Sequence, residues 1–218
     1  MKGTIFNEKE VQAIIAGNKT MFREVIKAQP NSEINPVYLK ECNSWQWATK
    51  ESRRECPYQV GQKIFCKESF SDFRNNNSDI FYKSDFDLNN LVKTVDLKWK
   101  PAQHMKKEQS RITLEITGIK VERLAEISKE DAIKEGATSR PNCHGYANRY
   151  EGWCMNWNKV GEASKWASNR KTLSESDVCM GSAQCAFGNF WNATHKKPEE
   201  KWEANPWVFA YEFEIINN

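Results

Sequence analysis

The sequence predicts an α+β fold in which short strands, separated by helices, curl toward a mixed barrel or half-barrel. Three observations carry this expectation. Short apolar stretches are bounded by turn residues, two short helices carry recognisable start and stop signals, and one long alternating strand closes the chain. A chain of 218 residues suits a single domain of ordinary size and can bury a core without disulfide staples.

The first helix opens at Asn7-Glu8-Lys9-Glu10, where Asn7 caps and Glu10 stands at the capping-box position. Val11, Ile14 and Ile15 form its apolar face, and Gly17 supplies the left-handed residue that stops it. Asn18 to Arg23 then runs as a loop into extended chain, and residues 30–57 read as an irregular connection. Val60-Gly61-Gln62 is a turn, Ile64 to Phe70 a strand, Arg74 to Asp79 a loop, and Ile80 to Tyr82 a short strand. Between Arg111 and Val121, Ile112, Leu114 and Ile116 alternate with polar neighbours. The phase then slips at Gly118, as it does at a bulge. Ser128 caps a second short helix that ends at Gly136, and Trp207 to Ile215 alternates as the last strand. Residues 138–186 change character, with Gly, Asn and Ser around Trp153, Trp157 and Trp166. The expected organisation is a barrel domain of residues 1–137 and 187–218, with 138–186 as an insertion packing its tryptophans on it.

Composition narrows the functions available. The balance of 32 basic against 29 acidic residues leaves only +3, so any polyanion contact must come from a local patch. No apolar run approaches the roughly 18 residues that span a bilayer, and Met1 to Phe6 turns polar at once, unlike a signal peptide. The expectation is a cytoplasmic protein with no membrane partner and no cofactor. Seven cysteines, an odd number without a C-x-x-C pair, read as free thiols in a reducing compartment. Cys143, His144, Cys154, Cys179 and Cys185 are the one set that would compose a metal site, against a plain reading as scattered thiols.

Two stretches carry cations where chemistry is expected. In Gly17-Asn18-Lys19-Thr20 with Arg23, lysine and arginine can hold a phosphate or polarise a carbonyl, against a solvated basic loop. Trp99 to Arg111 is the densest positive stretch, with Lys100, His104, Lys106, Lys107 and Arg111 against Glu108 alone. Cations interleaved with Trp99 suit a groove that tracks a nucleic-acid backbone while a base stacks, against a basic loop whose tryptophan is core. Glu135 on the second helix is either a surface carboxylate or, beside a lysine, a base.

In order along the chain stand Ala16-Gly17-Asn18-Lys19-Thr20, Lys67-Glu68-Ser69-Phe70, Tyr82-Lys83-Ser84-Asp85 and Trp99-Lys100-Pro101. His104-Met105, Ser110-Arg111-Ile112, Val121-Glu122-Arg123-Leu124, Asp131-Ala132 with Glu135-Gly136, and Asn205-Pro206-Trp207-Val208 follow. With this set the chain resembles the phage and prophage branch of the ASCH domain proteins, whose fold is similar to the PUA domain. The resemblance spans residues 4–137 and 187–216. It implies a small β-barrel with a cleft beside its helices, and binding of RNA or a nucleoside. One bacterial branch removes the acetyl group of N4-acetylcytidine with the lysine and threonine of a G-x-K-x-x-T loop and a later glutamate. Lys19 and Glu135 match two of these. Phe22 stands where the threonine would be, and a phenyl ring cannot attack a carbonyl. Thr20 is the nearest substitute nucleophile.

The leading expectation is therefore a binding module with Lys19, Phe22, Arg23 and Glu135 around a cleft. Trp99, Lys106, Lys107 and Arg111 would meet the nucleic acid. The alternatives are an amidohydrolase using Lys19, Thr20 and Glu135, or a phage accessory protein that meets a protein partner through 138–186.

Overall fold

The computed structural model describes residues 1–27, 29, 37–42, 44–46, 54–72, 80–86, 97–141, 151–155 and 180–216. In chain order the elements are β1 (Lys2–Ile5), α1 (Glu8–Ile15), β2 (Met21–Val25), β3 (Val37–Leu39), β4 (Ser44–Gln46), β5 (Arg54–Glu55) and β6 (Lys63–Lys67). They continue with β7 (Phe70–Asp72), β8 (Ile80–Tyr82), β9 (Thr113–Arg123), α2 (Lys129–Lys134), β10 (Ala137–Pro141), β11 (Glu151–Met155), α3 (Ala183–Thr194) and β12 (Trp207–Ile216). The class is α+β, and among the described residues the sheets are open, so no closed barrel is formed by them. The chain divides into two units, Met1–Lys19 with Tyr58–Gly118 and Glu212–Asn218, and Thr20–Pro57 with Ile119–Tyr211. β9 and β12 supply strand to both.

In the first unit, α1 begins and ends as its sequence dictates. Asn7 Oδ1 accepts from the backbone N–H groups of Lys9 and Glu10, and Glu10 Oε2 accepts from Asn7 N–H at 2.9 Å, closing the capping box. At the other end Gly17 takes φ +73° while Asn18 N–H reaches Ala13 O and Gly17 N–H reaches Ile14 O, a Schellman stop. Val11 and Ile14 are fully buried, with Phe6, Ile64, Leu114 and Ile116 in the same unit. β1 runs parallel to β6, with Lys2 opposite Ile64, and β6 runs antiparallel to β9, with Phe65 opposite Thr113. The strand expected over Ile64 to Phe70 is two strands: β6 stops at Lys67, and Phe70 starts β7, which pairs with β8. β9 continues through Gly118 to Arg123, where a phase slip was expected.

In the second unit, the segment expected to be irregular contains a small antiparallel meander, β3-β4-β5. Its tie is Trp45, 2 % exposed and edge-on to Phe209 at 5.7 Å. One tryptophan inside a three-residue strand is too short a period to announce itself. Ser128 caps α2 by accepting from Asp131 N–H, and Gly136 at φ +110° turns the chain into β10. β10 pairs with β11, and α3 lies in one core with α2, β10 and β11: Leu124, Ile127, Trp153, Met155, Phe187, Trp191 and Val208 are all buried in it. α3 therefore runs across position 186, where the insertion was expected to end. Trp153 is core, whereas Trp157 and Trp166 lie outside the described residues. β12 is buried on both faces from Trp207 to Tyr211, because the small Val208 and Ala210 leave room for a second packed layer.

Two positions on α3 and at its end generate predictions. A Cβ built on Gly188 would meet Trp202 Cδ2 at 2.8 Å, and that ring is held edge-on to Phe187. Gly188→Ala should therefore lower the melting temperature, although alanine in a helix ordinarily gains about 1 kcal/mol over glycine. His195 stacks on Trp191 at 3.7 Å and 9°. Burial lowers its pKa below the ordinary 6.5, partly opposed by the hydrogen bond to Trp191 O. The unfolded chain binds the proton more readily, so this contribution to stability is complete above pH 6.5 and is lost as pH falls toward the folded value. His195→Gln should flatten that part of a stability–pH curve measured by urea denaturation.

Candidate functional site

The first unit carries an open groove of about 620 Å³, lined by Phe70, Asp72, Lys100, His104, Lys106, Glu108 and Gln109. Its geometry follows from one strand. Phe70 pairs across β7–β8 with Tyr82 and, on its other side, exchanges backbone hydrogen bonds with Lys100 at 3.1 and 2.7 Å. Opposed residues share a face, so Tyr82, Phe70 and Lys100 stand side by side. Lys100 Nζ then reaches Asp72 Oδ1 at 2.6 Å and lies 5.9 Å from the Phe70 ring. Two single helical turns, Ala102–His104 and Lys107–Gln109, with Lys106 between them, supply the rest of the lining. They leave His104, Lys106 and Glu108 exposed. With histidine neutral, Lys100 and Lys106 balance Asp72 and Glu108, so the groove is polar without being strongly positive.

Beside it lies a fixed arginine. Arg111 Nε and Nη2 donate to the two oxygens of Glu68 at 3.0 and 3.2 Å, and Nη1 and Nη2 donate to the two oxygens of Asp85 at 2.8 Å each. Nη2 also donates to Ser84 Oγ at 2.8 Å, and Ser84 Oγ–H donates in turn to Glu68 Oε2. The guanidinium covers the Tyr82 ring at 4.1 Å. Burial pulls the Arg111 pKa down, but the hydrogen bonds it donates to Asp85 and Glu68, with the charges of those carboxylates, outweigh it and hold the group more firmly charged than usual. Burial, with Glu68 and Asp85 adding to it, raises the Tyr82 phenol, whose hydroxyl donates to Gln109 O at 2.9 Å.

The second unit contains a buried charge centre. Arg23, with a fully buried side chain, meets Glu122 at 2.6 Å, Glu135 at 2.7 Å and Asp131 at 3.6 Å, and Lys120 closes on Asp131 at 2.9 Å. Phe187 lies 5.5 Å from the guanidinium. Burial alone would lower the Arg23 pKa; Glu135 and Glu122 reverse that and raise it. Thr20 sits alongside, its N–H donating to Lys134 O at 2.8 Å.

The residues expected at one cleft fall in both units. Arg23 and Glu135, far apart in sequence, form an ion pair within the second unit. Lys19 belongs to the first unit, where it is 1 % exposed and 3.6 Å from Glu10. Phe22, expected to line a cleft and stack on a base, is 5 % exposed and tilted on Tyr211 at 5.0 Å. Lys106 lines the groove; Trp99 packs edge-on to Phe86 at 5.4 Å, and Lys107 is exposed outside the groove lining. Arg111, expected to meet a backbone, has its donors occupied by Glu68, Ser84 and Asp85. Asp72 was not singled out from the sequence, and Glu122 and Asp131 entered only as members of matching segments, since only the folded chain gives them their arginine and lysine partners. Cys154 is buried and Cys185 exposed, while Cys143, His144 and Cys179 lie outside the described residues. Among the described residues no three His, Cys, Asp or Glu side chains are grouped for a metal. No described helix is long and apolar enough to cross a membrane.

No family model matches the chain, and no curated protein does. Among solved structures, protein EF3133 from Enterococcus faecalis V583, labelled with the family DUF984, is similar at 10 % identity. The match covers 99 % of this chain and 81 % of that one, with a TM-score of 0.37. A likeness that loose carries neither fold nor function across.

Arg23 separates three carboxylates, so Arg23→Met should destabilise by about 3–5 kcal/mol through the like charges it leaves facing one another. Adding Glu122→Gln should recover part of the loss in the same urea denaturation.

Proposed function

We propose that the chain is an ASCH-like, PUA-related binding module of the phage and prophage branch, holding one nucleotide unit of a single RNA strand in the groove of its first unit. The observation that carries this reading is the groove itself. The most basic stretch of the sequence lines it beside Phe70, and its volume falls within the roughly 300–1,000 Å³ of small-ligand sites. Lys106 is exposed and meets the phosphate. Lys100 is engaged by Asp72 and orients that carboxylate toward donors on a base or ribose. His104, with two ring nitrogens, takes a hydrogen bond of either sense.

The charge balance supports a short contact over a long one. Two lysines facing two carboxylates attract no extended polyanion, so recognition rests on one phosphate and the base attached to it. The amidohydrolase alternative draws no comparable support, because the ring at the nucleophile position is core and Glu135 is held by Arg23.

Short single-stranded RNA, cytidine monophosphate and cytidine, titrated by calorimetry or fluorescence anisotropy, test the proposal. The monophosphate should bind several-fold tighter than the nucleoside. Affinity for RNA should fall with salt at a log–log slope near −0.7, as for about one phosphate. Lys106→Gln should weaken RNA binding roughly fivefold. RNA binding that Lys106→Gln leaves intact, or no binding by the parent, would remove the groove from consideration.

A further inference from the structure

We propose that the outer edge of Arg111 is a phosphate site that Asp85 keeps closed. The inference deepens the groove reading and rests on it for the class of ligand, a phosphate ester. Its ground is the unequal burial of the two carboxylates on Arg111. Glu68 is 2 % exposed in its side chain and Asp85 is 49 % exposed.

The inner half of the arrangement is a scaffold. Glu68 takes Nε and Nη2, Ser84 takes Nη2, and the Tyr82 ring supports the plane of the guanidinium at 4.1 Å. These contacts fix the guanidinium before any ligand arrives, which removes most of the ordering cost of binding. The outer half, Nη1 with Nη2, presents the parallel pair of donors that matches two oxygens of a carboxylate or of a phosphate equally well. Asp85 occupies it in that two-point manner at 2.8 Å on each side. Asp85 is half in solvent, so when a competing oxyanion displaces it, water takes over its oxygens and no buried charge is left unpaired.

Two further facts connect the edge to the groove. Tyr82 stands beside Phe70 on the face that lines the groove, and its hydroxyl holds Gln109, a groove residue. With both carboxylates in place the Arg111 cluster carries one net negative charge, which rejects a second anion. Once Asp85 swings out or is neutralised, the charge no longer opposes binding. A strand whose nucleotide sits in the groove then has a second phosphate contact within the same unit, made only after Asp85 leaves.

The test uses the full chain and inorganic phosphate, read by calorimetry and by the Arg111 Nε–Hε resonance. Asp85→Asn should bind phosphate roughly tenfold tighter than the parent, with a shift of that resonance on titration, and Asp85→Ser should do the same. Arg111→Gln added to either should abolish the gain. Lys106→Gln added to Asp85→Asn should preserve it, so failure of the groove reading is distinguishable from failure of this one. An unchanged phosphate affinity in both aspartate variants overturns the proposal. So does a gain that survives loss of Arg111. A large drop in melting temperature in both variants would also overturn it, by making Asp85 a structural brace.

Discussion

The groove depends on the backbone of Phe70 being paired on both sides. A strand of three residues has too few hydrogen bonds to hold a site on its own. Phe70 solves this by taking Tyr82 on one edge and Lys100 on the other, 30 positions along the chain. The ring is thereby 1 % exposed and serves as the apolar ground on which the Lys100–Asp72 pair is laid. Without the Lys100 bridge the basic stretch would be a loop with no wall opposite it.

Both charged centres follow one rule at different depths. Removing a guanidinium from water is costly unless its donors are met, and each arginine is met by more than one carboxylate. Arg23 is wholly enclosed and two of its partners, Asp131 and Glu135, are nearly so, which makes it an architectural centre. Arg111 has one enclosed partner and one in solvent, which makes it an adjustable one. Cys66 illustrates the same environment from the other side: burial first, then Glu68 and Glu10, push its thiol far above the ordinary range, so it stays protonated and inert.

Much of the fold was legible in the sequence because its signals are local. Asn7 with Glu10, Gly17, Ser128 and Gly136 each act within a turn of helix, and all four stand where their chemistry places them. The alternation from Ile112 to Ile116 likewise marks β9 to within two residues. The break between β6 and β7 was not legible, since Glu68 is a polar residue inside a strand pattern whose burial is explained by Ser84 and Arg111, 16 and 43 positions later. The meander around Trp45 was hidden for a similar reason. In the site, the dense positive stretch was visible as charge, but not that its lysine and arginine at either end would be neutralised internally. Phe22 was legible as the wrong residue for hydrolysis; that it is core follows only from Tyr211 on the last strand.

Each unit is assembled from separated stretches of chain, the first from three and the second from two. β12, near the far end of the sequence, supplies buried residues to both, from Trp207 in one to Phe213 in the other. Neither core can be finished during synthesis until that strand has left the ribosome. Until then β9 offers an open edge of unsatisfied amides, a hazard for sticking to other chains. Contacts this distant along the polypeptide also slow the search for the native state. A nascent chain stalled before residue 207 therefore has neither core complete, and it is the form that most needs a chaperone.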